Sequence, residues 1–80
     1  MNEKYIDAYK NKINEINVSA MVAYKEQNIY KLIDLYGSIN YFNGSLMNES
    51  LNGFNEEINS LFEETLIIRR KIYSFILDIL

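Results

Sequence analysis

The side chains that most often perform catalysis or bind transition metals are missing from this sequence. It contains no histidine and no cysteine, so the usual general bases, nucleophile dyads and imidazole or thiolate ligands are absent. The serines have no activating base at an obvious spacing, and no glycine-rich phosphate loop is present. We therefore expect a protein that is not an enzyme, with no catalytic residue and no small-molecule substrate.

Carboxylates are the remaining candidates for chemistry. Glu49, Glu56 and Glu63 recur at heptad spacing, with Glu57 and Glu64 beside two of them. A di-metal site in a helical bundle combines inward glutamates with Glu-x-x-His motifs. The glutamates here have no histidine partner and lie off the apolar positions, so the pattern indicates a solvated acidic face. We expect no metal and no cofactor.

The distribution of charge argues against two further classes of ligand. The formal net charge is −3, and the basic residues are spread along the chain except at Arg69-Arg70-Lys71. Nucleic-acid affinity comes mainly from basic contacts to phosphate, so DNA or RNA binding is not expected. The apolar windows are interrupted by charges, and the first residues lack the apolar core of a signal peptide. The sequence predicts a cytoplasmic protein without membrane insertion, with signal-less export as the alternative.

The C-terminal half carries an apolar series with alternating spacings of four and three, in which Thr65 is the one polar member. This spacing is typical of a helix that packs lengthwise on another helix. The chain has no proline and three glycines, which favours long helices over a turn-rich fold. We expect one all-α domain over residues 1–80. The apolar members of the series are Met47, Leu51, Phe54, Ile58, Leu61, Ile68, Ile72, Phe75 and Ile79.

The N-terminal half has two apolar stripes that are out of phase, and Asn2 is the predicted N-cap of the first. The register changes at residues 25–28. Either one helix continues while its apolar seam shifts, or a short loop forms and Asn28 caps a new helix. Because no glycine or proline lies there, we favour the continuous helix. The first stripe is Ile6, Tyr9, Ile13, Ile16, Ala20 and Ala23, and the second is Ile29, Leu32, Tyr36 and Ile39.

Phe42, Asn43 and Gly44 are the predicted turn of an antiparallel helical hairpin, with helices at about residues 3–42 and 46–80. Asparagine and glycine adopt the left-handed conformation that ends helices, and Ser45 can cap the next helix. A second possible break, at Gly53 with Asn55 as cap, is less favoured because Met47 and Leu51 keep the phase of the downstream series. The hairpin would pair Lys31 with Glu56 and Glu57, Lys25 with Glu63 and Glu64, and Glu15 with Arg70 and Lys71.

A second apolar stripe lies beside the first on the C-terminal helix and is broken only by Arg69. Together the two stripes are wider than the ~100° that one partner helix covers, and an exposed stripe of this size normally marks an interface. A second copy would complete a dimeric four-helix bundle, which is the main expectation. A three-helix bundle with a break at 25–28, or a different protein, are the alternatives. The predicted interface residues are Phe62, Leu66, Arg69, Tyr73, Ile76, Leu77 and Leu80.

The outline of two helical arms around a central aromatic-x-Gly turn at Phe42-Asn43-Gly44 resembles the Trp-x-Gly family, small helical hairpins linked to type VII secretion. Phe42 stands where that family has tryptophan, and Tyr73 is followed four residues later by Leu77 where the family has an acid. The resemblance implies a dimeric four-helix bundle that serves as partner or targeting adaptor for an exported effector. The matching apolar residues that lead into the turn are Ile29, Leu32, Ile33, Tyr36 and Ile39.

Besides a self-contained dimeric structural protein, two roles follow from these patterns. The first is a non-enzymatic helical module that binds another protein or a second copy of itself, with secretion adaptor as one form. The second is a small phage- or plasmid-type inhibitor, immunity protein or antitoxin that blocks a target by occupying its surface. Both roles require a helix face that the chain does not cover by itself.

Overall fold

The computed structural model describes residues 3–53 and 55–80, and these residues form three helices: α1 (Glu3–Lys25), α2 (Ile29–Leu51) and α3 (Glu56–Ile79). The helices alternate in direction. Lys71 contacts Asn17, and Asp78 contacts Tyr24 further along both helices, so α1 and α3 are parallel and α2 is antiparallel to both. The all-α prediction is confirmed. The arrangement is the three-helix bundle, which the sequence left as the alternative.

The predicted apolar stripes supply most of the core. Phe75 and Ile79 pack against it in partly buried positions, and Thr65 is fully buried among the apolar residues. Asn2 and Phe54 lie outside the described residues, and Met47 and Leu51 lie on the surface. The buried apolar side chains are Ile6, Ile13, Ile16, Ala20, Ala23, Leu32, Leu35, Ile39, Leu46, Ile58, Leu61, Ile68 and Ile72.

The predicted continuous helix through residues 25–28 is wrong, because α1 ends at Lys25. Gln27 takes a left-handed conformation with φ 54°. Its N–H donates to the Tyr24 carbonyl at 3.0 Å, and the Asn28 N–H donates to the Ala23 carbonyl at 2.8 Å. These two bonds form a Schellman motif, which satisfies carbonyls left open at a helix end. Only a change of chain direction lets both out-of-phase stripes reach one core.

Asn28 then caps α2, as the less favoured reading proposed. Its side chain accepts a hydrogen bond from the Lys31 N–H at 3.1 Å. A side-chain oxygen at this position satisfies one of the open N–H groups of the first helical turn.

The predicted hairpin turn at Phe42, Asn43 and Gly44 is also wrong, because all three residues lie inside α2. Asn43 is buried, and its amide donates to the Thr65 hydroxyl at 2.9 Å. Asn43, which the sequence placed in a turn, is therefore the hydrogen-bond partner of Thr65, the polar member of the C-terminal apolar series. Gly44 has no positive φ, and helical packing on either side of it outweighs its low helix propensity.

The second break follows the end of α2 at Leu51 and precedes the start of α3 at Glu56. The Asn52 N–H donates to the Glu49 carbonyl at 3.1 Å at the end of α2. Asn55 is the N-cap of α3, and its side chain accepts from the N–H groups of Glu57 at 2.9 Å and Ile58 at 3.1 Å. Glu57 lies in the first turn, where a negative charge is favourable to the helix dipole.

The charge pairs expected from a hairpin at residues 43–44 do not form. Among the described residues the ion pair present is Lys12 with Glu15, at 3.4 Å, and both partners are exposed. Pairs of this kind contribute about 0.2–1 kcal/mol. The direction of the helices is therefore specified by the core and the caps, and not by flanking charges.

Candidate protein-binding face

The two sides of α3 have different neighbours. On one side Phe75 stacks on Tyr24 of α1, with ring centroids 4.1 Å apart, and the Lys71 ammonium donates to Asn17 of α1. On the other side Tyr73 lies beside Tyr36 of α2, with ring centroids 6.2 Å apart. Helix α1 therefore covers one side of the α2–α3 pair, and the opposite side is open to solvent.

A cleft of ≈ 340 Å³ opens on this second side, lined by Tyr36, Arg69, Arg70, Tyr73 and Ser74. Arg69 is half-buried and makes a long contact of 3.5 Å from its guanidinium to the Asn40 side-chain oxygen. Within residues 3–53 and 55–80, Arg70 makes no hydrogen bond or ion pair. We call the cleft, together with Leu66 and Leu77 on the same side of α3, the α2–α3 face.

The lining of the cleft is rich in hydrogen-bond donors. Two guanidiniums, two phenols and one hydroxyl can all donate, and none of the lining side chains is a carboxylate. A chain with a net charge of −3 thus concentrates positive charge at one place. Such a site favours a carboxylate or another oxyanion, which planar guanidinium groups bind with two parallel hydrogen bonds.

The predicted interface residues divide into two groups. Phe62 and Ile76 are half-buried and pack against the core, so they serve the fold of the chain itself. Leu66 and Arg69 are half-buried at the edge of α3, whereas Tyr73, Leu77 and Leu80 are exposed. Arg69 and Tyr73 line the cleft together. The role of these residues in binding stays a prediction.

Sequence reasoning missed three contributors to the face: Tyr36, Arg70 and Ser74. Arg70 and Ser74 are not among the predicted interface residues, although they lie one turn apart, on either side of Tyr73 in the sequence. That spacing was a usable signal. Tyr36 could not be assigned because its position opposite Tyr73 depends on where α2 ends and α3 begins, which the hairpin prediction placed elsewhere.

The end of the bundle where α1 and α3 finish is joined by polar contacts. The Tyr24 phenol donates to the Asp78 carboxylate, and this hydrogen bond raises the pKa of Tyr24 above 10.0 because ionisation would lose the bond. The negative charge of Asp78 acts in the same direction, and desolvation adds to it. The contact between Tyr24 and Asp78 joins α1 to α3, and neither residue lines the cleft.

Over the part of the chain that the structure describes, no three acidic side chains come close enough together to hold a metal ion. None of the helices, over the same residues, has both the length and the apolar character needed to cross a membrane. Comparison with protein-family models, curated proteins and solved structures gave no match. The α2–α3 face is therefore the candidate site of this chain.

Proposed function

We propose that this chain is a non-enzymatic protein-binding module that takes a helix of another protein on the α2–α3 face. The observation that carries the proposal is the donor-rich cleft between α2 and α3, which contains two guanidiniums and no carboxylate. A fourth helix lying along this side would complete a four-helix bundle around the α2–α3 pair. The absence of histidine and cysteine from the sequence supports a role without catalysis.

The positive charge of the cleft determines which kind of partner helix it favours. Arg70 has no counter-charge among the described residues, and Arg69 has only the long contact to Asn40. An aspartate or glutamate of the partner would supply two acceptor oxygens to these groups. A second copy brings no carboxylate from its own cleft, so like charges would meet if two clefts faced each other. The favoured occupant is an acidic, amphipathic helix of a different protein.

Apolar side chains give the same face its contact area. Leu66 lies one turn before the cleft and is half-buried, while Leu77 lies one turn after Tyr73 and is exposed. Aromatic and arginine side chains dominate the binding energy of protein interfaces when apolar neighbours exclude water. Tyr73 and Arg69 are thus the anchors, and Leu66 and Leu77 exclude water around them. An adaptor and an inhibitor would both need a surface of this kind.

A displayed library of amphipathic helical peptides, long enough to span α3, tests the proposal. Selected peptides are expected to combine an apolar seam with an aspartate or glutamate, and Leu77→Glu should weaken their binding about tenfold or more. Val22→Glu on α1 is the matched control, because Val22 is 51% exposed and Leu77 is 55% exposed. The circular dichroism of both variants should match that of the parent.

Charge reversal sharpens the test. Arg70→Glu should abolish binding of the selected acidic peptides, and replacing the peptide's acid by arginine should restore it. Equal binding to the Leu77→Glu and Val22→Glu variants would show that the α2–α3 face is not the site. If the chain is a dimer that Leu77→Glu converts to a monomer, the fourth helix comes from a second copy, and the proposed partner is wrong.

A further inference from the structure

A second unpartnered surface lies on the side of α2 that faces away from the core. Tyr30, Tyr41 and Leu51 stand on this side and are 80%, 71% and 79% exposed, among the highest values for large apolar side chains in the described residues. Between Asp34 and Glu49 the helix carries no charged residue. An exposed helix of a monomer normally presents charges to water, so this surface is unusual for a free helix.

The side chains on this surface are arranged symmetrically. Tyr30 and Leu51 lie equally far from the midpoint between Asn40 and Tyr41, and so do Gly37 and Gly44. When two copies of α2 pack antiparallel about a two-fold axis at that midpoint, Tyr30 of one copy meets Leu51 of the other. Gly37 of one copy then meets Gly44 of the other. An isologous interface makes each of these contacts twice, because residue i of one copy meets residue j of the other and j meets i.

The middle of the surface provides a matching shape. A side chain of one packed helix fills the space between four residues of the other at positions i, i+3, i+4 and i+7. Residues 37, 40, 41 and 44 outline this space, and glycine occupies its two ends. A Cβ atom added at Gly37 or Gly44 would meet nothing within 4 Å in the chain itself. The glycines therefore do not serve packing inside the bundle.

We propose that the chain forms a homodimer through this side of α2, with the two helices antiparallel and Tyr41 of each copy seated between Gly37 and Gly44 of the other. The inference goes beyond the proposed function and does not depend on it. The charged residues near the ends agree with this alignment. Lys31 of one copy comes opposite Ser50 of the other, one residue from Glu49, and Asp34 comes opposite the uncharged Met47.

The available area is sufficient for a specific dimer. A tyrosine side chain buries about 150–250 Å² when it is fully covered, so Tyr30 and Tyr41 together offer roughly 300 Å² per copy. The smallest specific interfaces bury about 1,200 Å² in total, or ~600 Å² per copy. The two rings supply about half of that area. Leu51, Ile33, which is also exposed, and the helix backbone between them supply the remainder.

Engineered cysteines test both the dimer and its direction, because the chain has none of its own. Gly37→Cys and Gly44→Cys are made separately, with tags of different size, and oxidised alone and as an equal mixture. The mixed disulfide is expected to form about tenfold faster than either homodisulfide, since Gly37 meets Gly44 only across the antiparallel interface. Ser60→Cys, exposed on α3, measures the rate of random collision.

Sedimentation equilibrium supplies the second readout. The parent chain should be dimeric, and Tyr41→Glu should raise the dimer dissociation constant about tenfold or more. Tyr73→Glu, on the α2–α3 face, should leave that constant unchanged while it removes partner-helix binding, so the two proposals fail separately. A parent chain that stays monomeric, or a mixed disulfide that forms no faster than the Ser60→Cys control, overturns the inference.

Discussion

Among the residues that the structure describes, Asn43 and Thr65 are the two polar ones buried in an otherwise apolar core. The Asn43 amide donates to the Thr65 hydroxyl at 2.9 Å, and that hydroxyl donates to the Phe62 carbonyl at 2.6 Å. No buried side-chain nitrogen or oxygen of the described residues lacks a partner. A shift of α2 along α3 by one turn would separate the pair in a low-dielectric interior, so the pair specifies how these helices align.

We expect Thr65→Val to lower the free energy of unfolding by about 1–3 kcal/mol, because the buried Asn43 amide loses its acceptor. The double variant Asn43→Leu with Thr65→Val should be more stable than the sum of the single effects predicts, since both partners are then apolar. Denaturant unfolding of the four proteins in this cycle measures the coupling. Strict additivity would mean that the hydrogen bond does not align the helices.

The same two residues show what sequence reasoning could recognise. The gap at Thr65 was visible because it interrupts a regular apolar series. Its partner was not visible, since Asn43 is followed by Gly44 and this dipeptide has the local signature of a turn. The contact that decides between the two readings lies 22 residues further along the chain. Local propensity carries no information about such a contact.

At the scale of the helices, Gly37 and Gly44 lie inside α2, whereas the left-handed position at residue 27 is occupied by glutamine. The positive φ of Gln27, 54°, is costly for a residue with a Cβ atom. Gly44 lies within α2, where its conformational freedom is lost without any close contact in return. Asn28 and Asn55 offset these two costs, because their side chains accept hydrogen bonds from N–H groups at the start of α2 and α3.

Two substitutions, one that introduces glycine and one that removes it, test this explanation of the helix ends and of α2. Gln27→Gly should raise the free energy of unfolding by about 1 kcal/mol, because it removes the strain of the left-handed conformation.

Gly44→Ala should raise the free energy of unfolding of the monomer by about 0.5–1 kcal/mol, since alanine has the higher helix propensity. Thermal midpoints at low protein concentration report both effects. A loss of stability in Gly44→Ala would instead support a turn at that position.

The phase change between the two N-terminal stripes was the strongest available signal for three helices. It indicated that Ile16 and Leu32 cannot face one partner along a straight rod, and both are buried in the structure. The absence of glycine at residues 25–28 obscured the break, because Gln27 takes the conformation that glycine usually supplies. In the C-terminal half Leu51 matched the downstream phase by coincidence, and it is exposed.

For the molecule as a whole, one of the contacts between α1 and α3 is a titratable pair, Tyr24 and Asp78. Hydrogen bonding to Asp78 raises the pKa of Tyr24 above 10.0, so the folded state holds this proton more tightly than the unfolded chain does. The resulting stability is fully present below the unfolded pKa and is lost as the pH rises through the folded one. At neutral pH the hydrogen bond between Tyr24 and Asp78 therefore contributes its full stabilisation to the contact between α1 and α3.

Tyr24→Phe should accordingly remove part of the alkaline loss of stability. The difference in unfolding free energy between the parent and Tyr24→Phe should be constant near neutrality and should shrink as the pH passes 10.0. Tyr30→Phe is the control, because Tyr30 is an exposed tyrosine on α2. Parallel curves for the parent and Tyr24→Phe would show that the phenol and Asp78 do not interact in solution.

The candidate face could be anticipated only in part. The sequence indicated which side of α3 has too much apolar surface for one neighbour, and it named Leu66, Arg69, Tyr73 and Leu77 on that side. It did not indicate that α2 would lie beside Tyr73 and close the cleft, because this depends on the number of helices. Whether a second copy or a different protein meets each surface is a property of complexes, which apolar periodicity does not distinguish.

Because an odd number of helices alternate in direction, α1 begins and α3 ends at opposite ends of a bundle 40 Å long. A pulling force applied through the two chain ends would act along the helix axes. The helices would have to slide past one another before they separate, and the Asn43–Thr65 pair would resist the first step of sliding between α2 and α3.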